Sequence, residues 1–305
     1  MSLDRNTDDA ASKFLSVVVP AFDEAGGIGR VIDALRAAFP DSEIVVVDDG
    51  STDGTGAIAA SRGGVRVLAH DFNRGYGASL RTGMAATSRP LIAWFDSDGE
   101  HRVEDLRAMV ARLQRDKLAA VIGSRGAGGP AVRRTGKWMI RLLARVFGFG
   151  AETDLNCGLR VFRRDVVMPY LSLLPNRFSA SLTTTLTLIE RGYPIAFHPI
   201  VIEPRVGTSK VALGDGFAAI ALVLRMLMLF APLRLFLPSG AALVVLGTIY
   251  GLAISVIDGT GFPVAGLLAI LVGLNIGMLG LIADQISQMR LARIESLKDD
   301  RGRAD

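Results

Sequence analysis

The first half of the chain alternates between two hydrophobic periods. Short runs rich in β-branched and aromatic residues occur at 14–19, 44–47, 65–69, 91–95 and 119–122. Between them, apolar residues recur at helical spacing, as in Ile28, Val31, Ile32, Leu35 and Phe39, and again in Val103, Leu106, Val110 and Leu113. Strands alternating with helices predict an α/β domain on a mostly parallel sheet covered on both faces. Such sheets bind ligands beyond the carboxyl ends of their strands. The loops that follow these runs, 20–24, 48–53, 73–77 and 96–101, gather acid, Gly and Asn at one edge.

The second half has a different pattern. Residues 235–257 carry no charge, and neither do residues 259–283. Each run can cross a hydrocarbon core of about 30 Å at roughly 1.5 Å per residue. The link from Asp258 through Gly259 and Gly261 to Pro263 reads as a turn, so the pair predicts a helical hairpin. A buried pair of soluble helices is the competing reading. Arg290, Arg293, Lys298, Arg301 and Arg303 follow the hairpin, whereas its turn has no basic residue. The positive-inside rule then puts both chain ends in the cytoplasm. Residues 217–230 are almost wholly apolar except for Arg225. A third span would hold that charge near mid-membrane at a cost of roughly 2.5–3.5 kcal/mol, so an interfacial helix is expected instead.

The expected organisation is a polar tail at 1–13, the α/β domain at 14–210, an interfacial amphipathic helix at 211–234, a two-helix transmembrane hairpin at 235–284 and a basic tail at 285–305. Homo-oligomerisation through the hairpins belongs to the same expectation. Composition agrees: 50% hydrophobic and 21% charged suits a soluble domain fused to a short membrane part, not a disordered or polytopic chain. A net charge of +4 is too small to argue for nucleic acid and fits an anionic membrane surface or phosphorylated substrates. Cys157 is the only cysteine, which excludes an intrachain disulfide and a thiolate metal cage and reads as a small buried residue. The opening MSLDRNTDDAASK lacks the apolar core of a signal peptide, so the large domain is expected to stay in the cytoplasm.

The candidate chemistry lies in the strand-end loops. Asp96, Ser97 and Asp98 follow the fourth run and precede Gly99, Glu100 and His101. Two carboxylates one residue apart can converge on a hard divalent cation, although solvated acidic turns are common. EIVVVDDGSTDGT (43–55) ends a buried run in Asp48 and Asp49. Such an acid can accept from a nucleobase N–H, while Ser51 and Asp53 suit a helix N-cap equally well. In NRGYGASLRTG (73–83), Asn73, Gly75 and Gly77 open a helical pattern whose backbone N–H groups could face an anion. GGIGR (26–30) lacks the G-x-G-x-x-G spacing and is not a dinucleotide fingerprint. Of the three histidines, His101 adjoins the acids and is the functional candidate. Arg134, Lys137, Arg141 and Arg145 form a basic helical stripe, either solvated, docked on anionic headgroups or guiding a lipid phosphate.

Taken in order, VVVPAFDEAGG (17–27), DDGSTDGT, NRGYGASLRTG and DSDGEH resemble family 2 glycosyltransferases of the GT-A fold, a Rossmann-like nucleotide-sugar-binding α/β architecture. Asp23 stands where Asn is usual. GSR (123–125), DLNCGLRVFRRD (154–165) and RVGTSK (205–210) narrow the resemblance to polyprenyl-phosphate and dolichol-phosphate glycosyltransferases. In NCGLR, Asn156, Cys157 and Leu159 depart from the commoner Ser–Gly–Phe–Arg form.

The resemblance implies a Mg2+ or Mn2+ ion at Asp96 and Asp98, with Glu100 where Gln is frequent. It implies a nucleotide-sugar pocket lined by Pro20, Ala21, Phe22, Asp23, Glu24, Asp48, Asp49, Asn73, Gly75, Gly77 and Ser97. Arg125, Arg133, Arg134, Arg205, Ser209 and Lys210 would face the phosphates of donor and acceptor, with Arg125 and Arg205 counted among the catalytic groups. The implied reaction is inverting transfer of one sugar from a nucleotide-diphosphate sugar to a polyprenyl phosphate at the cytoplasmic membrane face. A processive polysaccharide synthase would carry a Gln-x-x-Arg-Trp motif; the tryptophans, Trp94 and Trp138, stand outside any such motif. A catalytically silent nucleotide-sugar-binding scaffold is the remaining alternative.

Overall fold

The computed structural model describes residues 12–125, 154–155, 157–176, 180–204, 227–228, 230–259 and 261–302. The chain divides into two compact units, a sheet unit and a helical hairpin.

In the sheet unit, β1 (Leu15–Ala21), α1 (Ile28–Ala38), β2 (Glu43–Asp48), α2 (Thr55–Ser61), β3 (Arg66–Ala69), α3 (Tyr76–Ala85), β4 (Leu91–Trp94), α4 (Val103–Arg115) and β5 (Ala120–Arg125) alternate as the periods predict. Next come β6 (Arg160–Arg163), short helical turns, α5 (Ala180–Glu190) and β7 (Ile195–Ile200). The seven strands lie in the order β3-β2-β1-β4-β6-β5-β7. All neighbours are parallel except β6, which runs antiparallel to both β4 and β5.

Every residue of β1 is buried, as a strand covered on both faces requires. Its alternate side chains feed two separate cores. Leu15, Val17 and Val19 meet Ile28, Ile32 and Leu35 of α1 and Leu106 and Met109 of α4. Val18 packs with Leu80 and Met84 of α3 and with Trp94 and Phe162 on the other face. With both faces filled, the carboxyl-end loops of β1, β2, β4 and β5 are left to meet at one edge.

In the second unit, α6 (Pro232–Asp258) and α7 (Val264–Gly302) form an antiparallel pair. Gly259 at φ 62° supplies the left-handed residue that ends α6. The helices touch closely because glycines face each other; a Cβ on Gly240 would stand 2.6 Å from the Gly273 carbonyl oxygen. The apolar windows have mean hydropathy 2.2 and 2.3, and only 17% of each is buried. So little burial does not fit the core helices of a soluble domain and suits contact with lipid. α7 continues past its apolar stretch to Gly302, since residues 285–301 contain neither Gly nor Pro to stop it. Residues 211–226 of the expected interfacial helix, Arg225 among them, lie outside the described residues, as does the basic stripe at 134–145; the last three residues of that expected helix, Pro232 to Arg234, instead open α6.

Candidate active site

The loop after β1 is laced to the loop after β2. Pro20 and Ala21 end β1 in register with Val47 and Asp48. Three consecutive backbone N–H groups then donate across the gap. Asp23 donates to Ser51 Oγ (2.9 Å), Glu24 to Thr55 Oγ1 (2.8 Å) and Ala25 to Asp53 Oδ2 (3.0 Å). In return Asp23 Oδ1 accepts from the Thr52 N–H at 2.8 Å. Asp23 sits at φ 51°, a left-handed conformation that Asp and Asn tolerate best. That tolerance accounts for either residue at this position. Phe22 and Glu24 are partly exposed beside it.

Asp48 and Asp49 both turn inward. Asp48 Oδ1 accepts the Ser51 N–H at 3.0 Å. Asp49 is 3% exposed, and Oδ1 accepts from Arg74 N (2.9 Å) and lies 2.6 Å from His70 Nδ1. Its Oδ2 accepts from Gly75 N at 2.7 Å. His70 Nε2 lies 2.9 Å from the Thr82 hydroxyl oxygen, so the ring is held at both nitrogens. Asp49 is thus a latch that draws the start of α3 onto the ends of β2 and β3. Asn73 is partly exposed and Gly75 and Gly77 are buried at that same turn.

Asp96 stands just past the end of β4 with each oxygen held by a different side chain. The Tyr76 hydroxyl donates to Oδ1 at 2.9 Å, and His101 Nε2 lies 3.1 Å from Oδ2. Burial would raise the Asp96 pKa, but His101, Tyr76 and the charge of Arg125 outweigh it and hold the carboxyl below its ordinary value. Burial would lower the His101 pKa, yet its hydrogen bond to Asp96 and the charges of Asp96, Asp98 and Glu100 raise it. His101 Nδ1 is buried with no hydrogen-bond partner among the described residues. Asp98 is 8% exposed, and its Oδ1 accepts the Glu100 N–H at 3.1 Å. Ser97 is buried, and Gly27 packs on it: a Cβ there would stand 2.9 Å from the Ser97 carbonyl oxygen.

The segment between β5 and β6 closes the far side. Arg125, at the end of β5, donates through Nε to Asp154 Oδ2 (2.6 Å) and through a terminal nitrogen to Oδ1 (3.3 Å). This fork raises the Arg125 pKa further, against burial. Gly158 leaves room for the acid, since a Cβ there would lie 2.1 Å from Asp96 Oδ2. Arg160 is fully buried, with its guanidinium 5.7 Å above the Trp94 ring. It donates to the carbonyls of Cys157 (2.7 Å) and Leu155 (2.9 Å) and to Thr185 Oγ1 (2.6 Å). Burial lowers its pKa to about 10, so it stays charged at neutral pH. Cys157 is buried and its thiol is pushed up to about 12, which makes it packing and not a nucleophile. After β7, the Glu203 N–H donates to the Glu100 carbonyl at 3.0 Å, which brings residues 201–204 against the acid loop.

The structure therefore gathers the loops bearing Asp23, Asp49, Tyr76, Asp96, Asp98, Arg125 and Gly158 at one sheet edge. Arg133, Arg134, Arg205, Ser209 and Lys210 lie outside the described residues. Tyr76, Asp154 and Gly158 were not singled out by the sequence, although all three sit inside its motifs. Among the described residues no three acid, His or Cys side chains converge to hold a metal, so Asp96, Asp98 and Glu100 are not a preassembled cage. Two carboxylates at a partly open site still suit Mg2+ or Mn2+, which take one or two protein carboxylates with the rest from phosphate and water. An open groove lined by Pro90, Leu113, Lys117 and Arg163 lies at the opposite edge and contains none of these residues.

Residues 16–171 match the family described as Glycosyl transferase family 2, and residues 231–289 match the GtrB C-terminal hairpin. The chain belongs to glycosyl transferase family 2. The hairpin match marks it as an integral membrane member of that family. It is 30% identical over 176 residues to a dodecaprenyl-phosphate galacturonate synthase of Rhizobium johnstonii, covering 53% of this chain and 52% of that one. With a polyprenol monophosphomannose synthase of Mycolicibacterium smegmatis it shares 28% identity over 215 residues, 64% of this chain and 80% of the relative. The sheet unit has the GT-A fold. Glucosyl-3-phosphoglycerate synthase from Mycobacterium tuberculosis, solved with Mg2+ and uridine diphosphate, superposes with a TM-score of 0.60 at 22% identity, covering 74% of this chain and 84% of that one.

Proposed function

We propose that this glycosyltransferase moves a single sugar, with inversion, from a nucleotide-diphosphate sugar to a polyprenyl phosphate at the cytoplasmic face of the membrane. The observation that carries the reading is Asp96. Its carboxylate is fixed at both oxygens by Tyr76 and His101 and stays 26% exposed, in a chain that also bears the hairpin. The names of the two relatives support the lipid phosphate as acceptor.

The acceptor sets what the site has to supply. A phosphate monoester with a second pKa near 6 is mostly dianionic at neutral pH and needs no dedicated general base. The protein has to position the two reactants in line and neutralise charge on the departing diphosphate. Asp96 and Asp98 would hold a Mg2+ or Mn2+ ion, which supplies that positive charge when bound. Arg125, kept in place by Asp154, adds a fixed cation at the same edge. Arg205, Ser209 and Lys210 are assigned to the phosphates of donor and acceptor on the strength of the RVGTSK motif alone. The loops after β1 and β2 form the nucleotide side.

The test is direct. Purified protein is incubated with a panel of nucleotide sugars, polyprenyl phosphate and Mg2+ or Mn2+, and the lipid fraction is examined for one added sugar. A polymer would point to a processive synthase, and no lipid product with any donor would refute the proposal. Asp98→Asn is expected to abolish turnover and leave the fold intact; an active variant removes the metal role.

A further inference from the structure

Asn275 is the only carboxamide between residues 232 and 284, and it lies near the middle of the 26-residue span Val264–Met289. A polar side chain at that depth is costly unless it is paired. Its Nδ2 donates to the Leu271 carbonyl at 2.9 Å, and among the described residues it has no other partner. The first helix of the hairpin cannot supply one. The face of α7 turned toward α6 is marked by the buried glycines Gly266, Gly273 and Gly280. Asn275, two residues past Gly273, points about 160° away from that face, and it is exposed.

On that outer face, Leu268, Val272, Asn275, Leu279, Ile282 and Ile286 follow one another at alternating steps of four and three, and all are exposed. In a segment where nearly every position is apolar the spacing alone says nothing, because lipid accepts any apolar face. The carboxamide is what lipid does not accept. We infer that this face of α7 is the seam of a parallel, two-fold association with a second copy of the chain, with Asn275 opposed to Asn275 at its centre.

Two arguments favour a second copy over a different membrane protein. An identical chain inserted with the same topology presents an identical carboxamide at the same depth, whatever the bilayer thickness. A carboxamide is also self-complementary: across a two-fold axis the free N–H of each meets the Oδ1 of the other, so both unmet groups are satisfied at once. A single Asn within an otherwise apolar four-three seam is a known device for fixing register in parallel helix pairs. Small left-handed crossings with polar contacts are the usual membrane counterpart.

The full chain with one added cysteine, reconstituted in phospholipid vesicles and oxidised, tests the seam without any reference to transferase activity. Cys157 is buried, so the unmodified chain is the blank. Val272→Cys and Leu279→Cys are expected to give disulfide-linked dimers several times faster than Leu274→Cys and Leu281→Cys, which point to other faces. Adding Asn275→Leu should lower the cross-linked fraction several-fold, while Asn275→Gln should preserve most of it. Equal cross-linking on all faces, or no response to Asn275→Leu, would overturn the inference.

Discussion

The loop after β2 and the loop after β4 look alike in sequence, each with two acids, a glycine and a serine in close succession, yet their carboxylates have different surroundings. Around β2, Asp48, Asp49 and Asp53 accept mainly from backbone N–H groups of Ser51, Arg74, Gly75, Ala25 and Thr55. Their oxygens tie four chain segments together, and the Asp49 side chain is only 4% exposed. Past β4, Asp96 accepts from two side chains, Tyr76 and His101, and 26% of it remains open. An acid that completes the backbone pairing of its neighbours holds a loop in shape. One that is oriented by side chains and left partly open can still take a ligand.

The largest effects should come from exchanging losses between the two loops. Asp96→Asn keeps a hydrogen-bonding group of the same shape but removes the charge. Turnover is expected to fall by about 10²–10³-fold, the scale of losing one preorganised electrostatic contact, while the thermal unfolding midpoint stays near that of the parent. Asp49→Ala should do the reverse. It leaves the Arg74 and Gly75 N–H groups and His70 unpaired in a buried setting, a loss of about 2–4 kcal/mol by denaturant unfolding. Its turnover per folded molecule should stay close to that of the parent. Equal loss of turnover in both variants, with both folds intact, would dissolve the distinction and give Asp49 a part in nucleotide binding as well as in the latch.

Gly158→Ala sharpens the comparison from the Asp96 side. The added methyl would occupy the space 2.1 Å from Asp96 Oδ2, so the carboxylate must shift away from Tyr76 and His101. A displacement of about 1 Å at a reacting centre costs up to roughly 10²-fold in rate. Turnover should drop about 10–100-fold with little change in stability. Full activity in this variant would mean that the orientation of Asp96 does not matter.

These partnerships show which parts of the molecule the sequence could disclose. β1, β2 and β4 were legible because strands buried on both faces must be continuous apolar runs, as Val17–Val19 and Ile44–Val47 are. β6 and β7 were not read as strands. β6 carries Arg160 and Arg163, and the apolar run of β7 is broken by His198 and Pro199, so neither reads as a continuous buried strand. Nothing local to β6 says that it inserts antiparallel between β4 and β5. The strand-end loops were legible from their acids and glycines. What each acid does was not, because the Asp96 partner Tyr76 comes from the start of α3, and Arg125 meets Asp154 only once β5 and β6 pair. Arg160 is the extreme case: a charged residue in a motif invites a ligand role, yet the fold buries it against the Trp94 ring with carbonyl and hydroxyl acceptors.

The smallest effect probes the β2 loop through its most exposed acid. Burial alone would raise the Asp53 pKa, but the Thr55 hydroxyl and the Ala25 and Thr55 N–H groups donate to its carboxylate and hold it below the ordinary value. A carboxyl whose pKa is depressed by folding contributes stability that is complete above its unfolded value, about 3.9 for Asp, and disappears as pH falls through the folded one. Asp53→Asn has no such charge to lose. The melting temperatures of parent and variant should therefore differ near neutral pH and converge as the pH drops below about 4. The gap should be small at any pH, because solvent screens a side chain this exposed. A gap that stayed constant down to the acid limit would mean that Asp53 braces the loop by shape alone. The difference from Asp49, whose buried carboxylate holds the β2 loop to α3 with no solvent to replace its partners, would then be one of burial and not of charge.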